Sequence, residues 1–139
     1  MPYNVAMHTY TVSLRVESPV LDAAKVTREL AISPTQTRAK GQWRSETSVW
    51  NKALWEFEVF PESRSHWDAL EAGLAALLRT LQPITKMLQE YRKSHDVYIW
   101  CGHFSSSFDG GPQFSAEILR KLGDFGIPLW IDTYSASGK

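Results

Sequence analysis

The chain is short of cysteine, of charge of one sign and of long apolar runs, and each shortage closes off a class of protein. Cys101 is the one cysteine in 139 residues, so no intrachain disulfide and no all-cysteine metal cluster can form. Fifteen basic and fifteen acidic residues cancel to a formal net charge of zero. A protein whose main task is gripping nucleic acid carries a basic surplus, because phosphate neutralisation dominates that affinity, so the balance argues against such a partner. No apolar run reaches the ~20 residues that cross a bilayer, which argues against a membrane role. Met1-Pro2-Tyr3-Asn4 has neither the charged nor the apolar region of a secretory leader. The expected location is the cytoplasm, and a lone thiol fits a reducing compartment.

Apolar side chains, in contrast, are plentiful. They make up 43% of the residues, aromatics make up 12%, and six are tryptophan, a composition that argues against disorder. A chain of this length buries about two thirds of its extended surface. One domain over 1–139 is expected, with an ordered core over about 8–135.

From His8 to Glu17, Tyr10, Val12, Leu14 and Val16 alternate with Thr11, Ser13, Arg15 and Glu17, the pattern of a half-buried strand. Asp22 can cap a short helix carrying Ala23, Val26 and Leu30 inward, and Ser33-Pro34 stops it. Residues 34–52 read as a loop or loose hairpin that bends near Gly41. Ala53 to Phe60 alternates again, with Trp55, Phe57 and Val59 inward and Glu56 and Glu58 outward. Ser63 or Ser65 can cap a long helix whose stripe runs Trp67, Leu70, Leu74, Leu77, Leu78 and Leu81. Pro83 ends or kinks it, and Ile84, Met87, Leu88 and Tyr91 mark a second short helix. Asp96 to Phe104 is apolar or aromatic on both sides, which suggests a central strand covered on both faces, with Trp55 and Trp100 both turned inward. Asp109-Gly110-Gly111-Pro112 is a strong turn signal. Ser115 can cap a helix with Ile118, Leu119 and Leu122 inward, Gly123 or Gly126 ends it, Ile127 to Tyr134 is the last strand, and a loose tail follows. The expected fold is α+β. Its form is a ferredoxin-like arrangement with a mostly antiparallel sheet and helices on one face, in two strand–helix–strand halves joined by the long helix.

Two clusters are candidates for function. The first is the segment with Arg38, Lys40, Trp43 and Trp50, where basic and aromatic residues interleave on an irregular stretch. Such side chains meet carboxylate, phosphate or flat rings, and loops on a rigid scaffold often carry binding sites. Its structural alternative is a lid over the sheet edge. The second is the outward sheet face with Arg15, Glu56, Glu58 and Asp132, joined by Glu17, where clustered carboxylates could hold a cation or do acid–base work. Its structural alternative is a set of ordinary cross-strand ion pairs. Cys101 and His103 share a strand face and read as a buried thiol and a rim histidine. His8, His66, His95 and His103 lack metal-ligand spacing, so no metal and no cofactor is expected.

The string Leu30-Ala31-Ile32-Ser33-Pro34, then Lys40-Gly41, then Trp50 and Trp55 resembles the domain-of-unknown-function family numbered 4279. The Leu70–Leu81 helix, the Ile118–Leu122 helix, Gly126-Ile127 and Asp132-Thr133-Tyr134 extend the resemblance over about residues 8–135. It implies a small bacterial protein and supplies no catalytic residues. With no activated nucleophile, metal set or cofactor fingerprint in view, the sequence favours a non-catalytic binding or accessory module. That module would recognise a protein or small anionic ligand and could also form a homodimer. A small enzyme using the sheet-face carboxylates is the alternative.

Overall fold

Alternation along the strands sets the architecture, because successive side chains point to opposite faces of a sheet. The computed structural model describes residues 7–135. The N-terminal segment read for a leader lies outside the described residues, as does the tail after Ser135. In order, the elements are β1 (His8–Ser18), α1 (Ala23–Leu30), β2 (Gln36–Arg38), β3 (Ala53–Val59), α2 (Leu70–Leu81), α3 (Thr85–Tyr91), β4 (Asp96–Ser105), α4 (Ala116–Phe125) and β5 (Leu129–Ser135), with a 3-10 turn over Gln82–Ile84 between α2 and α3. The fold is α+β. No helix among the described residues is long and apolar enough to cross a membrane.

The five strands form one sheet in the order β2-β3-β1-β4-β5. β1 pairs antiparallel with both β3 and β4, and β2 pairs antiparallel with β3. β4 and β5 run parallel, so the sheet is mixed. This departs from the ferredoxin-like expectation, in which the strands of each βαβ unit are split by another strand. Here β1 and β3 are direct neighbours, and β4 and β5, joined through α4, are direct neighbours too.

One sheet face carries the helices. Tyr10, Val12, Leu14 and Val16 from β1, Trp55 from β3, and Val97, Ile99 and Cys101 from β4 share a core with residues of α1, α2, α3 and α4. α2 packs low on β1: a Cβ added at Gly73 would lie 2.7 Å from Val12 Cγ2, so only glycine lets this helix sit so low. The helix ends follow local chemistry. Asp22 accepts from the Lys25 N–H and Ser115 from the Ile118 N–H, each satisfying a donor that the first turn leaves free. Ala31 and Gly126 close α1 and α4 in the left-handed conformation.

Several local expectations are corrected. Trp67 precedes α2 instead of belonging to it, and its backbone exchanges two hydrogen bonds with Tyr10. The helix starts at Leu70 behind Ala69, with no side-chain cap from Ser63 or Ser65. Residues 34–52 contain a strand, β2, followed by a hairpin arm in which Trp43 and Val49 face each other. Trp100 belongs to the face that carries no helix, so β4 is covered by helices on one side only.

Candidate functional site

On the face away from the helices the register lines up three rows of side chains. Glu58, Ser13, Trp100 and Trp130 form one row across β3, β1, β4 and β5. Glu56, Arg15 and Tyr98 form the next, and Leu54, Glu17 and Asp96 the third, with Arg38 beside Leu54. The alternation of β1 and β3 puts the acidic and basic residues outward together, so the structure brings Arg15, Glu56 and Glu58 onto one surface.

The middle row is tightly bonded. Arg15 Nε and Ser13 Oγ both donate to Glu56 Oε2 at 2.7 Å, and Glu56 is only 5% exposed although no helix covers it. Burial is the largest influence on Arg15 and works against its charge, but the hydrogen bonds and charge interactions with Glu56 and Tyr98 together outweigh it and hold the guanidinium pKa above its usual value. That guanidinium lies 4.0 Å over the Trp100 ring, a cation–π contact. Trp100 Nε1 in turn donates to Asp132 Oδ2 at 2.7 Å, which ties Asp132 to the cluster through an aromatic instead of an ion pair. Tyr98 donates to Glu17 at 2.5 Å and stacks on Trp130 with ring centroids 4.0 Å apart. Gly102 keeps this surface low: a Cβ there would lie 2.6 Å from Thr11 Oγ1 and 2.9 Å from the Trp100 ring.

Glu58 is the exception. Its carboxyl has no ion pair among the described residues, because Arg15 is taken by Glu56. Partial burial first, and the neighbouring Glu56 second, push its pKa up to about 7. A carboxyl so placed is half-protonated at neutral pH.

The other predicted cluster divides. Arg38 does not project from a loop: it sits on β2, its guanidinium 3.4 Å over the Trp50 ring and 4.0 Å from Glu17. Its side chain is only 12% exposed, and Nε is buried with no hydrogen-bond partner among the described residues. Arg44 lies over the same Trp50 ring at 4.8 Å. Trp50 is therefore a half-buried platform for two guanidinium groups, whereas Lys40 and Trp43 stand out in the solvent, Trp43 being 68% exposed. Arg38 and Trp50 join the sheet face; Lys40 and Trp43 do not.

A third grouping escaped the sequence reading. His8 opens β1, His103 lies near the end of β4, and Thr133 lies near the end of β5. His8 Nδ1 is 2.8 Å from His103 Nε2, His103 Nδ1 is 3.1 Å from Thr133 Oγ1, and His8 Nε2 is 2.5 Å from the Asp109 carbonyl. Tyr10 stacks on the His103 ring. His8, His103 and Thr133 line a cleft of about 720 Å³ together with Ser105, Phe108 and Gly110. The signal was available only through register: Tyr10 pairs with His103 and His8 with Ser105, which makes the two histidines diagonal cross-strand neighbours. Cys101, two residues away, is fully buried, and burial pushes its thiol up to about 12, far from a reactive thiolate at neutral pH.

These features define an α+β protein with one helix-covered face, one open polar and aromatic face, and a histidine-lined cleft at the sheet's end. Residues 8–136 match the family model described as Domain of unknown function (DUF4279), so the chain belongs to that family. Comparison with curated proteins and with solved structures gave no match.

Proposed function

We propose that the protein is a binding module whose open sheet face docks a basic segment of a partner protein. The observation that supports this reading is Glu58, a partly buried carboxyl raised to about 7 beside a second carboxylate and without an ion pair among the described residues. A lysine or arginine from a partner supplies that cation. Trp130, stacked on Tyr98 by one ring face and 52% exposed, offers its other face for a cation–π contact. Glu58 and Trp130 bracket the same row, with the small Ser13 and the Arg15-covered Trp100 between them. An anionic ligand is less well served, because Arg38 is already engaged with Trp50 and Glu17.

A second reading draws on the same carboxyl. A group that titrates near 7 suits general acid–base catalysis at neutral pH, with Glu58 as the acid. It is weaker because Glu56, the natural second carboxylate, is committed to Ser13 and Arg15.

An NMR titration with a short oligoarginine peptide and, separately, an oligoglutamate peptide tests the reading. Oligoarginine should move the Trp130 indole resonance, and its binding should tighten between pH 6 and 8, because a docked cation favours the ionised form of Glu58. Glu58→Gln should weaken that binding several-fold, roughly 1 kcal/mol. Binding of oligoglutamate at Trp43 and Lys40, with the open face silent, would overturn the proposal in favour of anion recognition by the hairpin arm.

A further inference from the structure

At the sheet's far end the Asp109 carbonyl sets the hydrogen-bond directions in the histidine cleft when both imidazoles are neutral. The Asp109 carbonyl can only accept, so His8 Nε2 carries a proton. Neutral His8 then presents Nδ1 as an acceptor, so His103 Nε2 carries the proton between the two rings. That leaves His103 Nδ1 with its lone pair toward the Thr133 hydroxyl, which donates to it at 3.1 Å. The result is a hydroxyl, a base that accepts from it, and a third group that orients the base, the arrangement that activates a nucleophile.

We propose that Thr133, His103 and His8 form a nucleophile–base–orienting array for acyl transfer from small esters. The proposal goes beyond the open-face reading and does not depend on it. Three features carry it. The array lines a cleft large enough for a small molecule. It lies at the carboxyl ends of the parallel pair β4 and β5, the strand end at which open parallel α/β sheets place their ligands. Thr133 is exposed on the edge strand while His103 is buried beneath the Tyr10 ring, so the nucleophile meets solvent and the base is shielded from it. Phe108, fully exposed on the cleft wall, offers an apolar contact for an aryl group.

In the step, Thr133 Oγ1 attacks the ester carbonyl and its proton passes to His103 Nδ1. The new Oγ1–acyl bond forms as the acyl–oxygen bond to the leaving group breaks. The leaving oxygen departs with the bonding pair, as a phenolate or, after taking the proton back from His103, as an alcohol. Thr133 and His103 are the catalytic residues. His8 is a positioning residue that accepts from His103 and stabilises the imidazolium. The groups facing His103 are His8 and Tyr10 from β1, Thr133 from β5 and, through His8, the Asp109 carbonyl. Burial and then His8 lower the pKa of His103, which keeps it neutral and basic near pH 7.

The test uses the full chain and p-nitrophenyl acetate. Peptide mass spectrometry after brief reaction should find one acetyl group on Thr133. Release of p-nitrophenolate should rise with pH through the imidazole range and level off near neutrality. Thr133→Val, an isosteric change at an exposed position, should remove the label while the protein still melts cooperatively, at a somewhat lower temperature because His103 Nδ1 loses its donor. His103→Ala should slow acetylation of Thr133 at least about tenfold, and His8→Gln should shift the pH profile of that acetylation. Acetyl groups found on lysine or histidine with Thr133 unmodified, or Thr133→Val reacting at the wild-type rate, would overturn the proposal.

Discussion

The two faces of the same sheet dry themselves by different means. On the helix face, Val12, Leu14, Val16, Ile99 and Cys101 lie under a second layer and are shut off from solvent. On the open face, Ser13, Glu56 and Tyr98 are as deeply buried with no helix above them. Their cover is a mesh of hydrogen bonds, a cation–π contact and stacked rings drawn from neighbouring strands. The first face draws its stability from apolar area and tolerates no voids. The second depends on every polar group finding a partner, because a buried polar group left alone is costly. That contrast makes Glu58 informative: among the described residues its carboxyl has no ion pair, and the buried Arg38 Nε and Thr11 Oγ1 have no hydrogen-bond partner, so the pairing of this face is incomplete at three places.

The largest expected effect breaks the helix face. Trp55 is fully buried and its Nε1–H donates to Thr27 Oγ1 at 3.0 Å, so Trp55→Ala should cost about 3–5 kcal/mol in denaturant unfolding. A midpoint close to wild type would contradict the core assignment. The open face should give a smaller loss. Arg15→Ala leaves Glu56 with Ser13 alone and uncovers Trp100, and should cost about 1–3 kcal/mol. A loss equal to that of Trp55→Ala would erase the distinction between the faces.

The third effect should have the opposite sign. The pKa of Glu58 is higher folded, about 7, than its ordinary 4.5. Below ~4.5 both states are protonated. As pH rises toward 7 the unfolded chain gives up the proton first, so the folded state loses stability over that window and the loss is complete above it. Glu58→Gln removes this penalty. After allowance for solvent screening at a partly exposed site, the gain should be up to about 1 kcal/mol at pH 8 and close to zero at pH 4. A gain at pH 4 that vanished at pH 8 would reverse the assignment.

How far the sequence carried these features depended on whether the deciding contacts were local. The alternation of Tyr10 to Val16 and of Trp55 to Val59, and the caps at Asp22 and Ser115, are contained within a few residues and were legible. So was the outward placement of Arg15, Glu56 and Glu58, since a period of two assigns each residue a face. Trp100 was misread because a strand that is apolar on both sides looks like core from its own residues. Only its register with Ser13 and Trp130, and its contacts with Arg15 and Asp132, reveal that one side is an open aromatic surface. Trp67 fits the helical spacing of Leu70 and Leu74, yet its backbone pairs with Tyr10, a tertiary contact that overrides local pattern. Arg38 reads as a free loop cation until Trp50 folds beneath it. The His8–His103 contact, between residues 95 apart in sequence, exists only through strand pairing and left no local trace.

The most direct test of the account is the titration of Glu58 itself, followed through its side-chain carboxyl carbon by NMR in the native protein. The account predicts a midpoint near 7 that falls when oligoarginine is added, as a cation beside the carboxyl favours its ionised form. A midpoint at the ordinary glutamate value of 4.5, unmoved by oligoarginine, would contradict the claim that the open face holds an uncompensated carboxyl awaiting a basic partner.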